Sequence, residues 1–409
     1  MKILVLASRF PYPLEKGDKL RLFHQIRELS YTHEIVLCAL HEQAVQKTDF
    51  QEVKQYCSAI YLFPFSKILN ILSGILRGGM PFTVSYFFNI SIQKKIAQVI
   101  EKEQPDHIYC QLIRMAEYAK NLAIPKTLDY MDAFSLGQKR RAESAFLLLK
   151  PFMHYEAKLL KNYEKKVFLD FNNTCIISEQ DKAYLNFEKS DKLKIVSNGV
   201  DIQYFTTSAT ERCSVEPDVS TEQRSAQLPS TEQRSVARYD IAFVGNLGYY
   251  PNVQAATYIA HRILPLLKKD MPHIKILIAG ARPAPEILAL QNEHIDVQAW
   301  LPDIREAYAN ARILVAPIFH GSGQQNKILE AMAMGVPCVT TTLVNNAIRA
   351  TPETEILCAD TEGVFVSQIL KVLQNVDIQN TIKINARSFV EKNYSWASAV
   401  NLLNDIMST

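Results

Sequence analysis

The chain has 409 residues, 48% of them hydrophobic and 21% charged, with a formal net charge of +3 at pH 7. That length exceeds what one hydrophobic core usually supports, so two domains are predicted, and the composition excludes a disordered chain. The small net charge gives no electrostatic footprint for nucleic acid, and none is expected as a partner. Seven cysteines stand far apart without a C-x-x-C pair or an H-E-x-x-H, which argues against a disulfide framework and against a zinc site.

The chain opens with KILVLA (2–7), an apolar run of strand length. It reaches a turn too early for a signal peptide, so the protein is expected to be cytoplasmic. The loop SRFPYPLEKGDK and the helical period of LRLFHQIRELS complete a βα unit. Further buried-strand candidates are EIVLCAL (34–40), HIYCQL (107–112), KTLDYM (126–131), NTCIIS (173–178) and LKIVSNGVD (193–201), separated by helical stretches. The alternation predicts a parallel sheet with helices on both faces.

No stretch reaches the ~18 consecutive apolar residues of a membrane span. Two segments, 65–82 and 138–168, combine leucine and isoleucine at helical spacing with clustered lysine and arginine. Each reads either as a core helix with a solvated face or as a basic amphipathic helix lying on an anionic membrane surface.

Between Gln203 and Arg238 the pattern gives way to a polar stretch carrying STEQRS twice, at 220–225 and 230–235. Two copies do not make a solenoid, and the segment is read as a linker or surface insertion able to tolerate shortening. The αβ rhythm then restarts with YDIAFVGNL (239–247), a helix from about Asn252 to Leu267, IKILIAG (274–280), IDVQAWL (295–301), ILVAPIF (313–319), a helix beginning near Gln325, and PCVTT (337–341). The expected organisation is a first domain over 1–202, the linker over 203–238, a second domain over 239–385, and a carboxyl-terminal helix over 386–409 that can pack back on the first domain. The fold class is α/β, two doubly wound Rossmann-like domains facing a cleft, with ligands beyond the carboxyl ends of the strands.

The chemistry concentrates in the second domain. FVGNLG (243–248) has the form of a glycine-rich phosphate turn, a weak signal alone, and HGSGQQ (320–325) makes a second glycine-bearing loop. Lys327 and Glu330 fall one helical turn apart, which fits a plain ion pair. A carboxylate there can also accept hydrogen bonds from both hydroxyls of a ribose.

The block GSGQQNKILEAMAMGVPCV (321–339), with FVGNLGYYPN, ISEQD (177–181), SNGVD (197–201), LPDIREAYANARILVAPIF and SRFPYPLEKGDKLR, resembles the family-4 retaining glycosyltransferases, in particular sugar transferases of bacterial exopolysaccharide clusters. The resemblance implies a glycosyltransferase-B architecture and transfer of a hexose from a nucleotide diphosphate sugar to a glycan or polyprenyl-linked acceptor, without metal or cofactor. Glu330 matches the second glutamate of E-x7-E, which holds the donor ribose. Gly17, with Asp18 beside it, matches the first amino-terminal loop near diphosphate and acceptor. Gly245 and Asn246 match the turn after the first strand of the second domain, and His320, Gly321, Ser322, Gly323 and Gln324 the loop facing the donor.

The departures are informative. The first glutamate of E-x7-E falls on Ser322, and the Arg/Lys pair expected after FVGNLG is replaced by Tyr249, Tyr250, Pro251 and Asn252. Where many members carry a histidine, this chain has Met131 and Asp132. Asp132, Lys327 and Glu330 are therefore the candidate catalytic residues. Lys327 is the expected counter-charge for the diphosphate, with His320 and Arg282 behind it. A catalytically silent nucleotide-sugar-binding subunit and a two-domain sugar-nucleotide epimerase are the alternatives.

Overall fold

The computed structural model describes residues 1–14, 16–65, 79–143, 145–188, 190–206, 238–319 and 324–408. Most of the STEQRS segment, most of the basic segment at 65–82, and His320, Gly321, Ser322 and Gly323 lie outside the described residues. Phe205, at the start of the presumed linker, is buried in the core of the second unit.

The chain forms two compact units. The first comprises Met1–Gly199 and Trp396–Thr409, with Gln324; the second holds the described residues from Val200 to Ser395 apart from Gln324.

In the first unit, seven parallel strands make one sheet: β1 Lys2–Ala7, β2 Glu34–His41, β3 Ala59–Pro64, β4 His107–Gln111, β5 Lys126–Asp129, β6 Asn173–Ile176 and β7 Leu193–Ile195. Their order is β3-β2-β1-β4-β5-β6-β7, so the chain reverses its direction of winding between β1 and β4. Both faces are covered, as a parallel sheet requires. Ile3, Val5 and Ala7 pack toward the helices Gly17–Leu29 and Trp396–Ser408, while Leu4 and Leu6 pack with Ile92 and Ile96 of the helix Ile90–Glu103. The His24 and Trp396 rings stack at 4.8 Å and fix the carboxyl-terminal helix.

The second unit is a six-stranded sheet of β8 Tyr239–Val244, β9 Ile276–Ala279, β10 Ile295–Gln298, β11 Ala311–Ala316, β12 Cys338–Thr340 and β13 Leu357–Cys358. Its order, β10-β9-β8-β11-β12-β13, places a second reversal between β8 and β11.

Two expected helices are broken. The stretch 252–267 divides into Tyr250–Tyr258, a π-helical turn Ile259–Ile263, and Leu264–Leu267. Pro265 offers no N–H to the preceding turn, and the widened turn absorbs the mismatch. The segment 138–168 is likewise not one amphipathic helix: Phe134–Glu143 ends before a short connection, and Lys150–Asp170 begins with a proline in its first turn. The core reading fails for the connection itself, because Phe146, Leu147, Leu148 and Leu149 are 71%, 74%, 80% and 55% exposed. No helix among the described residues is long and apolar enough to cross a membrane.

Candidate functional site

In the second unit, the carboxyl ends of β8 and β9 meet through glycine. Gly245, immediately after β8, donates its N–H to the Ala279 carbonyl at 3.1 Å. Gly280, immediately after β9, has φ of +148°, and a Cβ there would fall 1.7 Å from the Gly245 carbonyl oxygen. Only glycine allows this approach, which seats the turn after β9 against the turn after β8, the strand that borders the reversal. A Cβ on Gly245 would in turn press on the Asn252 amide at 2.8 Å and the Lys327 ammonium at 3.1 Å. The FVGNLG turn is therefore closely packed against Asn252 and Lys327.

Asn252 organises the turn. Its Nδ2 donates to the Asn246 carbonyl at 2.9 Å, and its Oδ1 accepts from Lys327 Nζ at 2.6 Å. Asn246 in turn accepts the Gly248 N–H on its own Oδ1 at 3.1 Å, so its side chain shapes the loop. Lys327 lies in the first turn of the helix Asn326–Ala333, its ammonium 4.8 Å from the centre of the Phe243 ring. Burial pushes its pKa down to about 7, against the opposing pull of Glu330. Asn252 is its one hydrogen-bond partner among the described residues, although an ammonium carries three donors.

Glu330 follows one turn later on the same helix. Tyr308, wholly buried, donates its hydroxyl to Glu330 Oε2 at 2.7 Å, and Oε1 has no hydrogen-bond partner among the described residues. Burial raises the Glu330 pKa, with the Tyr308 hydroxyl and the Lys327 charge acting against it. The two side chains do not form a direct salt bridge. One carboxylate oxygen is anchored and the other is available as an acceptor. Arg282, with φ of +57°, is exposed on the loop after β9.

The remaining candidates belong to the first unit. Gly17 is the exposed first residue of its helix, and a Cβ on it would meet nothing within 4 Å. Asp18 pairs with Arg9, Nη1 to Oδ2 at 2.5 Å, and its carbonyl accepts from Gln111 Nε2 at 2.8 Å. Asp132 follows β5, directly after Met131, whose φ is +59°. Burial, together with the charges of Asp181 and Asp129, pushes the Asp132 pKa up to about 7 in spite of Arg21. Gln324 exchanges two hydrogen bonds with the backbone of Asn198, both at 2.9 Å. The described candidates thus form two groups: Gly245, Asn246, Lys327 and Glu330 in the second unit, and Gly17, Asp18, Asp132 and Gln324 in the first.

Sequence reasoning missed Gly280, Tyr308 and the role of Asn252. Gly280 ended a predicted strand and could have been paired with Gly245 as a second strand-end glycine. Tyr308, inside REAYANA, carried no signal of its own.

Residues 238–375 match the family model for glycosyl transferases group 1. A 44.6 kDa protein encoded in the cps region of Klebsiella pneumoniae, itself uncharacterized, is 20% identical over 96% of each chain. Among solved structures, the Anabaena protein HepE in complex with UDP has a TM-score of 0.66 at 14% identity, covering 100% of both chains. Sucrose-phosphate synthase from Thermosynechococcus elongatus has a TM-score of 0.67 at 13% identity, over 99% of this chain and 98% of that one. The fold is that of the glycosyltransferase-B enzymes, two Rossmann-like α/β domains. The family match over the second unit makes this chain an enzyme of the glycosyltransferase class.

Proposed function

We propose that the protein is a retaining glycosyltransferase that moves a sugar from a nucleoside diphosphate sugar to a glycan or polyprenyl-linked acceptor in the synthesis of a cell-surface polysaccharide. The observation that carries this reading is Lys327, a buried amine with unused donors set beside the glycine turn after β8, on a helix that follows β11, the two strands between which the order reverses. A diphosphate supplies the missing acceptors and the opposite charge. Glu330, with Oε2 held by Tyr308, takes the ribose hydroxyls on Oε1.

The residues fit a reaction in which the protein positions the reactants and stabilises charge on the leaving diphosphate. Retention of configuration follows if the acceptor attacks on the face the diphosphate leaves, with that diphosphate taking the acceptor proton. Asp132, poised near pH 7, is the acceptor-side carboxyl that orients the incoming hydroxyl. The cps-region relative supports the polysaccharide setting. The exposed run Phe146–Leu149, followed by the exposed Phe152 and set among Arg140, Arg141, Lys150 and Lys158, supports work at the inner face of the plasma membrane.

The test is a donor panel, beginning with UDP-sugars because HepE binds UDP, read by product mass with and without acceptor. Slow release of free monosaccharide from one donor supports the transferase. Tight nucleotide binding without any turnover makes the chain a silent binding subunit.

A further inference from the structure

The first unit has its own reversal of strand order, between β1 and β4, and an arginine stands beyond each of these two strands. Arg9 follows β1 and Arg114 lies in the turn after β4. The Arg114 guanidinium is held between two rings, 4.9 Å from the centre of Phe87 and 4.9 Å from that of Phe134. Its Nε is sealed from solvent and has no hydrogen-bond partner. The charges acting on it are Arg9 and Arg141, both repulsive, and Asp18, attractive. Asp18 is already engaged by Arg9. Arg114 therefore feels two like charges and one carboxylate that is already paired, at the place where doubly wound sheets take ligands. Burial and the two like charges lower the Arg114 pKa to about 10, which leaves it cationic at neutral pH.

An aromatic sandwich fixes the plane of a guanidinium and spares its donors, so Arg114 is organised in advance for a planar, multi-donor contact. The helix Phe134–Glu143 supplies both Phe134 and Arg141, and a few residues beyond Arg141 the chain enters the exposed run Phe146–Leu149. Anion recognition and an apolar surface thus sit at the two ends of one short segment.

We infer that Arg9, Arg114 and Arg141 bind the phosphate or diphosphate of a lipid-linked acceptor, whose hydrocarbon chain lies along Phe146–Leu149. This rests on the reading of the chain as a transferase and assigns its acceptor a chemical class: a sugar carried on a lipid phosphate rather than a free glycan. The arginines do not touch the reacting carbon. They hold the acceptor by its anionic link.

The test uses the full chain and four probes: farnesyl diphosphate, farnesol, inorganic diphosphate and UDP, each titrated by calorimetry. Arg141→Gln changes an exposed side chain and Arg114→Met keeps an apolar filling between the rings. Both variants should lose tenfold or more in affinity for farnesyl diphosphate while keeping the wild-type affinity for UDP. Farnesol should bind weakly and equally to all three proteins, and inorganic diphosphate more weakly than farnesyl diphosphate. If Arg114→Met does not fold, as judged by circular dichroism, Arg141→Gln decides alone. Unchanged farnesyl diphosphate affinity in the folded variants overturns the assignment. Inorganic diphosphate binding as tightly as farnesyl diphosphate removes the lipid from it, and UDP affinity falling in step reassigns the arginines to the donor. Failure of the wild-type protein to bind UDP strikes the proposed donor site and leaves this inference standing on the farnesyl diphosphate result.

Discussion

If Lys327 is the counter-charge of the donor diphosphate, nucleotide binding must take up a proton. Burial holds the Lys327 pKa at about 7 in the free protein, so at pH 8 roughly nine tenths of the molecules carry it neutral. A phosphate with its second pKa near ~6 is already fully ionised at that pH and contributes no proton of its own. Contact with the diphosphate favours the ammonium and returns the pKa toward the ordinary ~10.4. Binding of UDP at pH 8 should therefore take up about 0.9 proton per molecule, falling toward about 0.1 from this lysine at pH 6. Calorimetry in two buffers of different ionisation enthalpy, such as Tris and HEPES, reads this number from the difference in heats. Lys327→Met should bind UDP more weakly with no buffer dependence at pH 8. Equal wild-type heats in the two buffers would refute the reasoning, because a lysine that stays neutral beside a bound diphosphate is not its counter-charge.

Glu330→Gln should weaken uridine and UDP alike, by roughly 1.5–3 kcal/mol for a hydrogen bond to a charged group, whereas Lys327→Met should weaken UDP far more than uridine; unchanged affinities in calorimetry would sink the assignment. Asp132 has its pKa raised from 3.8 to about 7, so the folded protein keeps a proton that the unfolded chain loses, and stability falls as pH rises through that window. Asp132→Asn should remove this part of the slope, so its denaturation midpoint should gain on wild type between pH 5 and pH 8; the same difference at both pH values would argue against a buried, titrating carboxyl. Replacing Phe146, Leu147 and Leu148 together by serine should abolish co-sedimentation with anionic vesicles, and high salt should release the wild-type protein. Wild-type binding to neutral vesicles at equal strength would instead show that the basic residues contribute nothing.

The strands of both sheets were legible because they are buried on both faces and so read as unbroken apolar runs, KILVLA and YDIAFV among them. The two that escaped lack that signature: β3 is a partly exposed edge strand, and β13 is two residues long. Glycine spacing pointed to the turn after β8, yet the partner of Gly245 is Gly280, separated from it by a strand and a helix, and only the sheet brings their backbones together. The same holds for Lys327. Its position on the Glu330 face followed from helical period, but its low pKa comes from burial beneath elements distant in sequence, which spacing cannot show. The pattern IREAYANA says amphipathic helix and nothing about a hydroxyl that fixes a carboxylate on the helix after β11.

The first unit shows why its acceptor side was harder to read. Arg21 lies in LRLFHQIREL, where an arginine reads as the solvated face of an amphipathic helix, yet it is fully buried. Its Nε donates to Asp129 at 2.6 Å, its Nη1 to Asn198 at 2.9 Å and its Nη2 to the Val196 carbonyl at 2.9 Å. Burial alone would raise the Asp129 pKa, but Arg21 and the Tyr109 hydroxyl outweigh it and keep the carboxylate below its usual range. A buried ion pair of this kind contributes little net stability, since desolvation offsets most of the attraction. Its structural effect lies one residue further on. Asp129 Oδ1 accepts the Met131 N–H at 2.9 Å and so helps hold Met131 at φ of +59°, a conformation that costs a non-glycine residue about 1–2 kcal/mol. Asp132 takes its direction from that turn. Without the charged Asp129 the backbone would be free to relax to negative φ and carry Asp132 away from Asp181, so the ion pair acts on the position and acidity of the acceptor-side carboxyl more than on the stability of the fold.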